Sequence, residues 1–183
     1  RQVFAPEALE ELKSSIKQRG IIQPIIVRPI AHGTYELVAG ERRWRAAKAL
    51  GLREIPALIR ALSDQETLEC SIIENVQREG LNPIEEAREF ARLVEEFHYT
   101  QEQLAETVGK DRTSVTNSLR LLKLPEDIQK ALRENRLSTG HAKILVGVEP
   151  STKQQELFRQ TMTQHLSVRQ LEELVGRWAP SPA

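Results

Sequence analysis

The chain has 183 residues, and its 39% hydrophobic content is enough to bury one large core or two small ones. No apolar run approaches the roughly 18 residues needed to cross a membrane, and the start lacks the layout of a signal peptide, so we expect a cytoplasmic protein. Basic and acidic residues number 26 each, which excludes a generally basic nucleic-acid coat and makes any polyanion site local. The lone Cys70 lies in a helical pattern and is expected to be a buried, inert thiol.

The first 60 or so residues alternate helix and strand signals. "PEALEELKSSIKQRG" predicts a helix that ends at Gly20, and "IIQPIIVRPI" predicts a strand whose Pro24 and Pro29 indicate an edge position or irregular ends. "AHGT" then predicts a turn and "YELVAG" a second strand. The segment "ERRWRAAKAL" predicts a helix ended by Gly51, and "EIPALIRAL" a third strand.

From Ser63 onward every signal is helical. Ser63 and Glu66 form a capping box for a helix to about residue 77, and Asn82 followed by proline starts a second helix to about residue 98. Thr100 and Gln103 repeat the box. Further helices are predicted at 125–135, 138–147, 151–164 and 167–178.

The segment "TQEQLAETVGKDRTSVTNSLRLLKLP" has the spacing of a helix-turn-helix, with Gly109 at the sharp turn. The inward-facing positions are expected to be Leu104, Ala105, Val108, Val115, Leu119 and Leu122. The second helix then presents side chains that can bond phosphates and base edges, namely Arg112, Thr113, Ser114, Asn117 and Arg120. Ser118 occupies a position that is more often apolar, and an ordinary helical hairpin with a solvated polar face is the alternative.

The stretch "GERRWRAAKALG" places Arg42, Arg43 and Arg45 at the start of a helix, directly after Gly40. Cations are unfavourable at the positive end of a helix dipole, and a bound polyanion would remove that conflict. Guanidinium groups also match phosphate oxygens in a bidentate geometry. In the alternative interpretation, these arginines pair with acids of the following helices and Trp44 belongs to the core.

A second cluster follows in "SIIENVQREGLNP". Glu74 and Asn75 offer adjacent oxygen ligands near a helix end, with Gln77 and Arg78 beside them. Mg²⁺ is typically bound by one or two protein oxygens together with phosphates. The arginines and this pair are therefore parts of a nucleoside triphosphate site if the fold brings them together, although no Walker-type loop or dinucleotide fingerprint is present.

Six segments resemble, in order, the boxes of the ParB family of chromosome and plasmid partition proteins. They are "GIIQPIIV", "ELVAGERRWRAAKALGL", "IPALI", "IIENVQREGLNPIEEA", "LRLLKLP" and "LSTGHAKIL", and together they extend over nearly the whole chain. The family's usual C-terminal dimerisation domain is not found, so the chain is interpreted as a fragment. The expected fold class is α+β, with a small ParB/sulfiredoxin-like α/β domain before an all-helical one.

The resemblance implies the domain boundaries. They are a CTP-binding domain at 1–62 completed by 63–80, connecting helices at 63–99, a helix-turn-helix DNA-binding domain at 100–178 and a disordered tail at 179–183. It also implies the cofactors CTP and Mg²⁺, with slow CTP hydrolysis. The nucleotide would be held by Gly40, Glu41, Arg42, Arg43, Glu74, Asn75 and Arg78. Of these, Glu74 and Asn75 would reach the metal, while Gln23 and Glu41 would support hydrolysis.

For DNA, the resemblance implies recognition of a double-stranded, palindromic parS site. The second helix of the helix-turn-helix is assigned the recognition, with Lys110 before it, and Thr139, Gly140 and His141 are assigned a supporting contact. Taken alone, a histidine in the position of His141 is most often a neutral capping or surface histidine.

The implied protein closes into a CTP-dependent dimeric clamp that slides on DNA, acts in the nucleoid, and meets a ParA-type ATPase through an N-terminal tail not found here. Three alternatives stay open: a nucleoid-occlusion paralogue that binds membranes, a DNA-binding regulator without nucleotide dependence, and a sulfiredoxin-like enzyme. The last needs a cysteine where Glu41 stands.

Overall fold

The computed structural model describes residues 6–77 and 80–178, and the chain divides into two compact units between Glu74 and Asn75. The predicted nucleotide ligand Arg78 and the predicted tail at 179–183 lie outside the described residues. No helix within the described ranges is both long and apolar enough to span a membrane.

The first unit contains a small mixed sheet and its helices. Its elements are α1 (Pro6–Arg19), β1 (Ile25–Pro29), a 3₁₀ turn (Ala31–Gly33), β2 (Tyr35–Ala39), α2 (Glu41–Ala49), β3 (Ala57–Ile59) and the larger part of α3 (Asp64–Val76). Helix α3 begins as predicted, because the Ser63 backbone N–H and hydroxyl both donate to Glu66 Oε2 at 2.8 Å. The core includes Ile16, Ile25, Val27, Val38, Ala46, Ala47 and Ile72.

Strand β1 is the central strand of the sheet, whose order is β2–β1–β3. It pairs antiparallel with β2 and parallel with β3. Of the two alternatives predicted from the prolines, the edge position is therefore wrong, and a proline at each end of the strand is what the structure shows. The two prolines are compatible with the central position because Pro24 precedes the strand and Pro29 is its last residue, so neither removes a donor from the middle of the ladder.

The second unit is entirely helical across residues 80–178. Its elements are α4 (Pro83–Phe97), α5 (Gln101–Val108), α6 (Arg112–Leu121), α7 (Glu126–Arg133), α8 (Thr139–Leu145), α9 (Ser151–Gln164) and α10 (Val168–Trp178). The predicted helix starts are confirmed: Asn82 with Glu85, and Thr100 with Gln103, form complete capping boxes. The sheet-containing unit and the helical unit together confirm the α+β class.

The helical unit has a continuous apolar core that includes Ile84, Ile128, Leu132, Leu145, Leu157 and Leu171. Within the helix-turn-helix, Leu104, Ala105 and Val115 are buried as predicted. Leu121 is also buried, whereas Val108, Leu119 and Leu122 are only half-buried. The apolar face of α6 is therefore rotated slightly from the predicted one.

Candidate nucleic-acid interface and nucleotide site

Helices α5 and α6 are joined by a three-residue turn, Gly109–Lys110–Asp111. Gly109 ends α5 with φ 68°, a left-handed conformation that costs a side-chain-bearing residue about 1–2 kcal/mol. The Lys110 N–H donates to the Ala105 carbonyl at 2.9 Å, which satisfies one of the orphan carbonyls at the end of α5. The turn has the form required of a helix-turn-helix.

Asp111 caps the start of α6. Its carboxylate accepts the Ser114 hydroxyl at 2.6 Å and the Ser114 backbone N–H at 2.8 Å, and these two bonds lower the pKa of Asp111. The hydroxyl proton of Ser114 is committed to this cap. Ser114, a predicted DNA contact, retains its oxygen lone pairs but has no free donor.

A polar contact that sequence reasoning missed joins α5 to α6. The Thr116 hydroxyl lies 2.7 Å from Gln101 Oε1 and 2.9 Å from the Arg112 carbonyl oxygen. The first of these contacts crosses between the two helices and holds them in one relative orientation. The sequence did not predict this contact, because a threonine at position 116 fits any polar position on the surface of the helix.

The exposed face of α6 carries uncommitted polar groups. Thr113 and Arg120 are exposed and Asn117 is half-buried. Within the ranges that the structure describes, none of the three side chains makes a hydrogen bond or ion pair with another residue. Their donors and acceptors are therefore available to phosphates or base edges.

Two cations predicted to bind DNA have acidic partners. Arg112 lies 3.7 Å from the Glu102 carboxylate, with both side chains about two-thirds exposed. Lys110 forms an ion pair with Glu86 and lies 5.7 Å above the Phe90 ring. Exposed pairs of this kind contribute little stability, so a phosphate competes with them easily.

The start of α8 is explained by packing and capping. Ser138 caps the helix, and its hydroxyl also lies 2.7 Å from His141 Nδ1. The other ring nitrogen, Nε2, lies 2.9 Å from the Leu166 carbonyl oxygen. A Cβ on Gly140 would lie 3.0 Å from a methyl group of Val168. His141 thus occupies the position of a capping histidine, and a side chain at position 140 would require Val168 of α10 to shift.

The arginine cluster at α2 is partly engaged by the protein itself. Arg43 donates from one nitrogen to the carbonyl oxygens of Gln23 and Pro24, both at 2.7 Å. Arg45 bonds the Glu41 carboxylate one turn earlier at 2.6 Å. Arg42 is exposed and bonds no residue in the part of the chain that the structure describes. Arg42 is therefore the guanidinium best placed to take an anion without breaking an existing bond.

Gly40 immediately precedes these arginines and has φ 98°. A Cβ there would lie 2.9 Å from Ile25 Cγ2 and 3.3 Å from Ile25 Cα. The close approach of α2 to β1 is thus sufficient to require glycine. Trp44 is 38% exposed, with the Lys48 ammonium 5.0 Å from its ring centroid, so it is not a core residue.

Glu74 and Asn75 are adjacent, half-buried residues of α3 that fall in different units. The Asn75 side-chain amide donates to Glu89 Oε1 at 3.2 Å, which leaves its own oxygen available. No cluster of three or more histidine, cysteine, aspartate or glutamate side chains within 6–77 and 80–178 could hold a metal by itself. One carboxylate and one amide oxygen fit Mg²⁺ when waters and substrate phosphates complete its coordination. Cys70 is half-buried, and burial raises the pKa of its thiol, which disfavours the reactive thiolate.

Comparison with known proteins links both units to one family. The ParB N-terminal domain matches residues 1–76, and the ParB HTH domain matches residues 79–179. The probable chromosome-partitioning protein ParB of Coxiella burnetii is 50% identical over 178 residues, which are 97% of this chain and 61% of that protein. The nucleoid occlusion protein of Geobacillus thermodenitrificans is 46% identical over 175 residues, 96% of this chain and 62% of that protein.

A solved structure also matches. It is the C-terminally truncated chromosome-partitioning protein ParB from Caulobacter crescentus, complexed to the centromeric parS site. The TM-score is 0.86 at 43% identity, and the match covers 97% of this chain and 91% of that one. The chain spans about three-fifths of the length of the curated relatives it matches.

Proposed function

We propose a function from one premise: this chain belongs to the ParB family. It binds a parS-like DNA site through α5 and α6, and its first unit binds CTP with Mg²⁺ as a slow hydrolytic switch. The observation that carries the DNA-binding half is the exposed face of α6, where Thr113, Asn117 and Arg120 are uncommitted. The likeness to a relative crystallised on parS supports the same interface.

On DNA, the side chains of α6 and of the turn before it divide into those that contact base edges and those that contact phosphates. Asn117 and Arg120, at mid-helix and in the last turn of α6, read base edges, because amide and guanidinium groups make bidentate contacts there. Arg112 and Lys110 neutralise phosphates and exchange Glu102 and Glu86 for them. Thr113 accepts or donates a single bond beside them, and Ser114, whose hydroxyl proton is held by Asp111, accepts one. Thr139, Gly140 and His141 contribute through the backbone of α8, since the His141 ring is already engaged.

In the first unit, the start of α2 receives the triphosphate. Arg42 binds phosphate oxygens directly, and the backbone N–H groups that follow Gly40 add donors at the positive end of the helix. Arg43 joins them if it leaves the carbonyls of Gln23 and Pro24. Glu74 and Asn75 supply the metal's protein oxygens, and Arg78 adds a further cation. When bound, Mg²⁺ neutralises phosphate charge and polarises the transferred group.

Hydrolysis is slow because the site offers no strong base. Gln23 and Glu41 orient the attacking water, yet Glu41 also holds Arg45 at 2.6 Å, so its carboxylate is only partly available. Slow turnover suits a timer: CTP binding closes two subunits into a clamp on DNA, and hydrolysis reopens it. A dimer in the nucleoid, with a ParA-type ATPase as partner, completes this proposal on the strength of the family resemblance.

Calorimetric titration tests the proposal. The chain is titrated with CTP, ATP, GTP and UTP in Mg²⁺, each with and without a parS duplex. CTP-selective heat that increases with the specific duplex supports the switch. Binding to parS without any nucleotide response contradicts the nucleotide half and leaves a DNA-binding regulator.

A second candidate function is nucleoid occlusion, because a protein of that name is 46% identical to 96% of this chain. The two candidates differ in the DNA site they select, so competition between a parS duplex and random duplexes of equal length separates them. Preference for a different palindrome, found by selection from a random pool, favours the nucleoid-occlusion function.

A further inference from the structure

Two glutamines are buried in the helical unit. The side-chain amide of each donates to a backbone carbonyl at or beside the C-terminal end of a neighbouring helix. Gln129 on α7 is 8% exposed and Gln154 on α9 is 7% exposed. Glutamine is seldom buried unless its amide is hydrogen-bonded, because an unsatisfied amide loses its bonds to water. The burial of each glutamine is therefore explained by the carbonyl groups that its amide bonds.

The Gln129 amide bonds the exit of α6. Its Nε2 donates to the Leu122 carbonyl at 3.1 Å and to the Leu124 carbonyl at 2.7 Å. Leu122 is the C-cap that directly follows α6, and Leu124 precedes Pro125 at the start of α7. The carbonyl of a helix C-cap has no intrahelical donor, and one side chain here satisfies it together with a carbonyl of the link between α6 and α7.

We propose that Gln129 is a positioning residue for base recognition: it fixes the C-terminal end of α6 against α7 and thereby sets where Arg120 and Asn117 meet the DNA. This inference rests on the proposed DNA-binding function. It concerns a residue that does not itself face the exposed side of α6.

Losing the Gln129 bonds should affect base recognition selectively, because phosphate contacts tolerate a displacement of the protein side chain better than base-edge contacts do. A lysine or arginine side chain can follow a phosphate through a displacement of about 1 Å, whereas a bidentate contact to a base edge cannot. Arg120 lies in the last turn of α6, two residues before the first carbonyl that Gln129 holds. Loosening this end therefore weakens base discrimination more than total DNA affinity.

Gln154 provides a matched control within the same unit. It is buried to the same degree, and its Nε2 donates to the Leu145 carbonyl at 2.9 Å, near the end of α8. Replacing it removes a buried amide and a hydrogen bond at the end of α8, while both bonds from Gln129 to the residues after α6 stay in place. If both glutamines only stabilise the fold, replacing either one should leave the preference for parS over a scrambled duplex unchanged.

The test compares Gln129→Met with Gln154→Met, because methionine keeps the unbranched shape and removes the donors. For each chain we measure the ratio of affinities for a parS duplex and a scrambled duplex at one salt concentration, together with thermal unfolding. We expect Gln129→Met to reduce the ratio about tenfold, the effect of one poorly read base pair, while Gln154→Met leaves it within about twofold. Both variants are expected to lower the melting temperature, Gln129→Met by more because it loses two hydrogen bonds and Gln154→Met loses one.

A double-mutant cycle sharpens the result. In an Arg120→Ala background the effect of Gln129→Met on the ratio should shrink, whereas in a Thr113→Ala background, at the far end of α6, it should persist. If Gln129→Met fails to fold, Gln129→Leu and Gln154→Leu, which also lack the amide donors, carry the same comparison. Equal ratios for the wild type and both glutamine variants overturn the inference and leave DNA binding intact. A wild-type chain with no preference for parS instead overturns the proposed function itself.

Discussion

The two units differ in how completely they bury their apolar side chains. Within the described residues, Ile22, Ile59 and Leu58 of the first unit are 76%, 55% and 44% exposed. In the helical unit, by contrast, Val168 at 37% is the sole exposed large hydrophobic among residues 80–177. A three-stranded sheet with few helices buries only part of its apolar side chains. The seven helices α4 to α10 direct apolar faces toward one common core. The helical unit is thus complete in itself, whereas the first unit presents surface suited to the self-association proposed for it.

The largest expected effect is in the helical core. Phe90 is fully buried, and Phe90→Ala should lower the free energy of unfolding by about 3–5 kcal/mol through lost transfer energy and a cavity. Ile59→Ala on the exposed edge strand should cost less than about 1 kcal/mol. Urea unfolding of both variants measures the difference, and similar losses would contradict the contrast between the units.

Two glycines with positive φ should respond unequally to alanine. Gly40→Ala should cost about 2–3 kcal/mol, because backbone strain adds to the contact with Ile25. At Gly109 a Cβ would meet open space, so Gly109→Ala should cost about 1 kcal/mol from strain alone. Melting temperatures of the two variants check this order, and its reversal would disprove close packing at Gly40.

The arginines of α2 should separate into binding and structural roles. Arg42→Ala should weaken CTP binding about tenfold, about 1.4 kcal/mol, with an unchanged melting temperature, because Arg42 bonds no described residue. Arg43→Ala should reduce both CTP affinity and thermal stability, since it also releases two carbonyls. Calorimetry and thermal unfolding provide the two readouts, and parS affinity without nucleotide is the control that both variants should preserve.

The smallest expected effect is a pH dependence of two helix caps, one in each unit. Hydrogen bonds from Ser114 lower the pKa of Asp111, and those from Ser63 lower the pKa of Glu66. A lowered folded-state pKa means that the carboxylate stabilises the fold above its unfolded pKa, about 4, and that this stability is lost as pH falls through the folded value. Asp111→Asn and Glu66→Gln should therefore differ from the wild type most at pH 7 and least near pH 3. Melting curves at intervals of one pH unit follow the change, and a constant difference would contradict it.

Local signals made much of this architecture predictable. The side chains of Asn82 and Thr100 bond backbone within three residues, so the starts of α4 and α5 followed from sequence alone. The central position of β1 did not, because it depends on pairing with a strand about 30 residues away. The HTH turn was predictable from Gly109, while the contact between Thr116 and Gln101 depended on the helix crossing.

The candidate sites show the same division between local and distant information. The exposed face of α6 followed from helical periodicity, which assigns faces without tertiary knowledge. The engagement of Arg43 by two carbonyls could not be predicted, because backbone acceptors carry no sequence signature. The packing of Gly140 against Val168 was equally hidden, since "STGHAK" looks the same whether its glycine serves a ligand or a neighbouring helix.

The capping boxes of the helical unit have a consequence for the rate of folding. The starts of α4, α5 and α10 are each specified by a pair of side chains three residues apart, the last pair being Ser167 and Gln170. Because such contacts close very short loops, they form before any long-range search is complete. Refolding of this unit should therefore approach the microsecond-to-millisecond times of helical proteins, well ahead of the mixed sheet, whose parallel pairing must join distant strands.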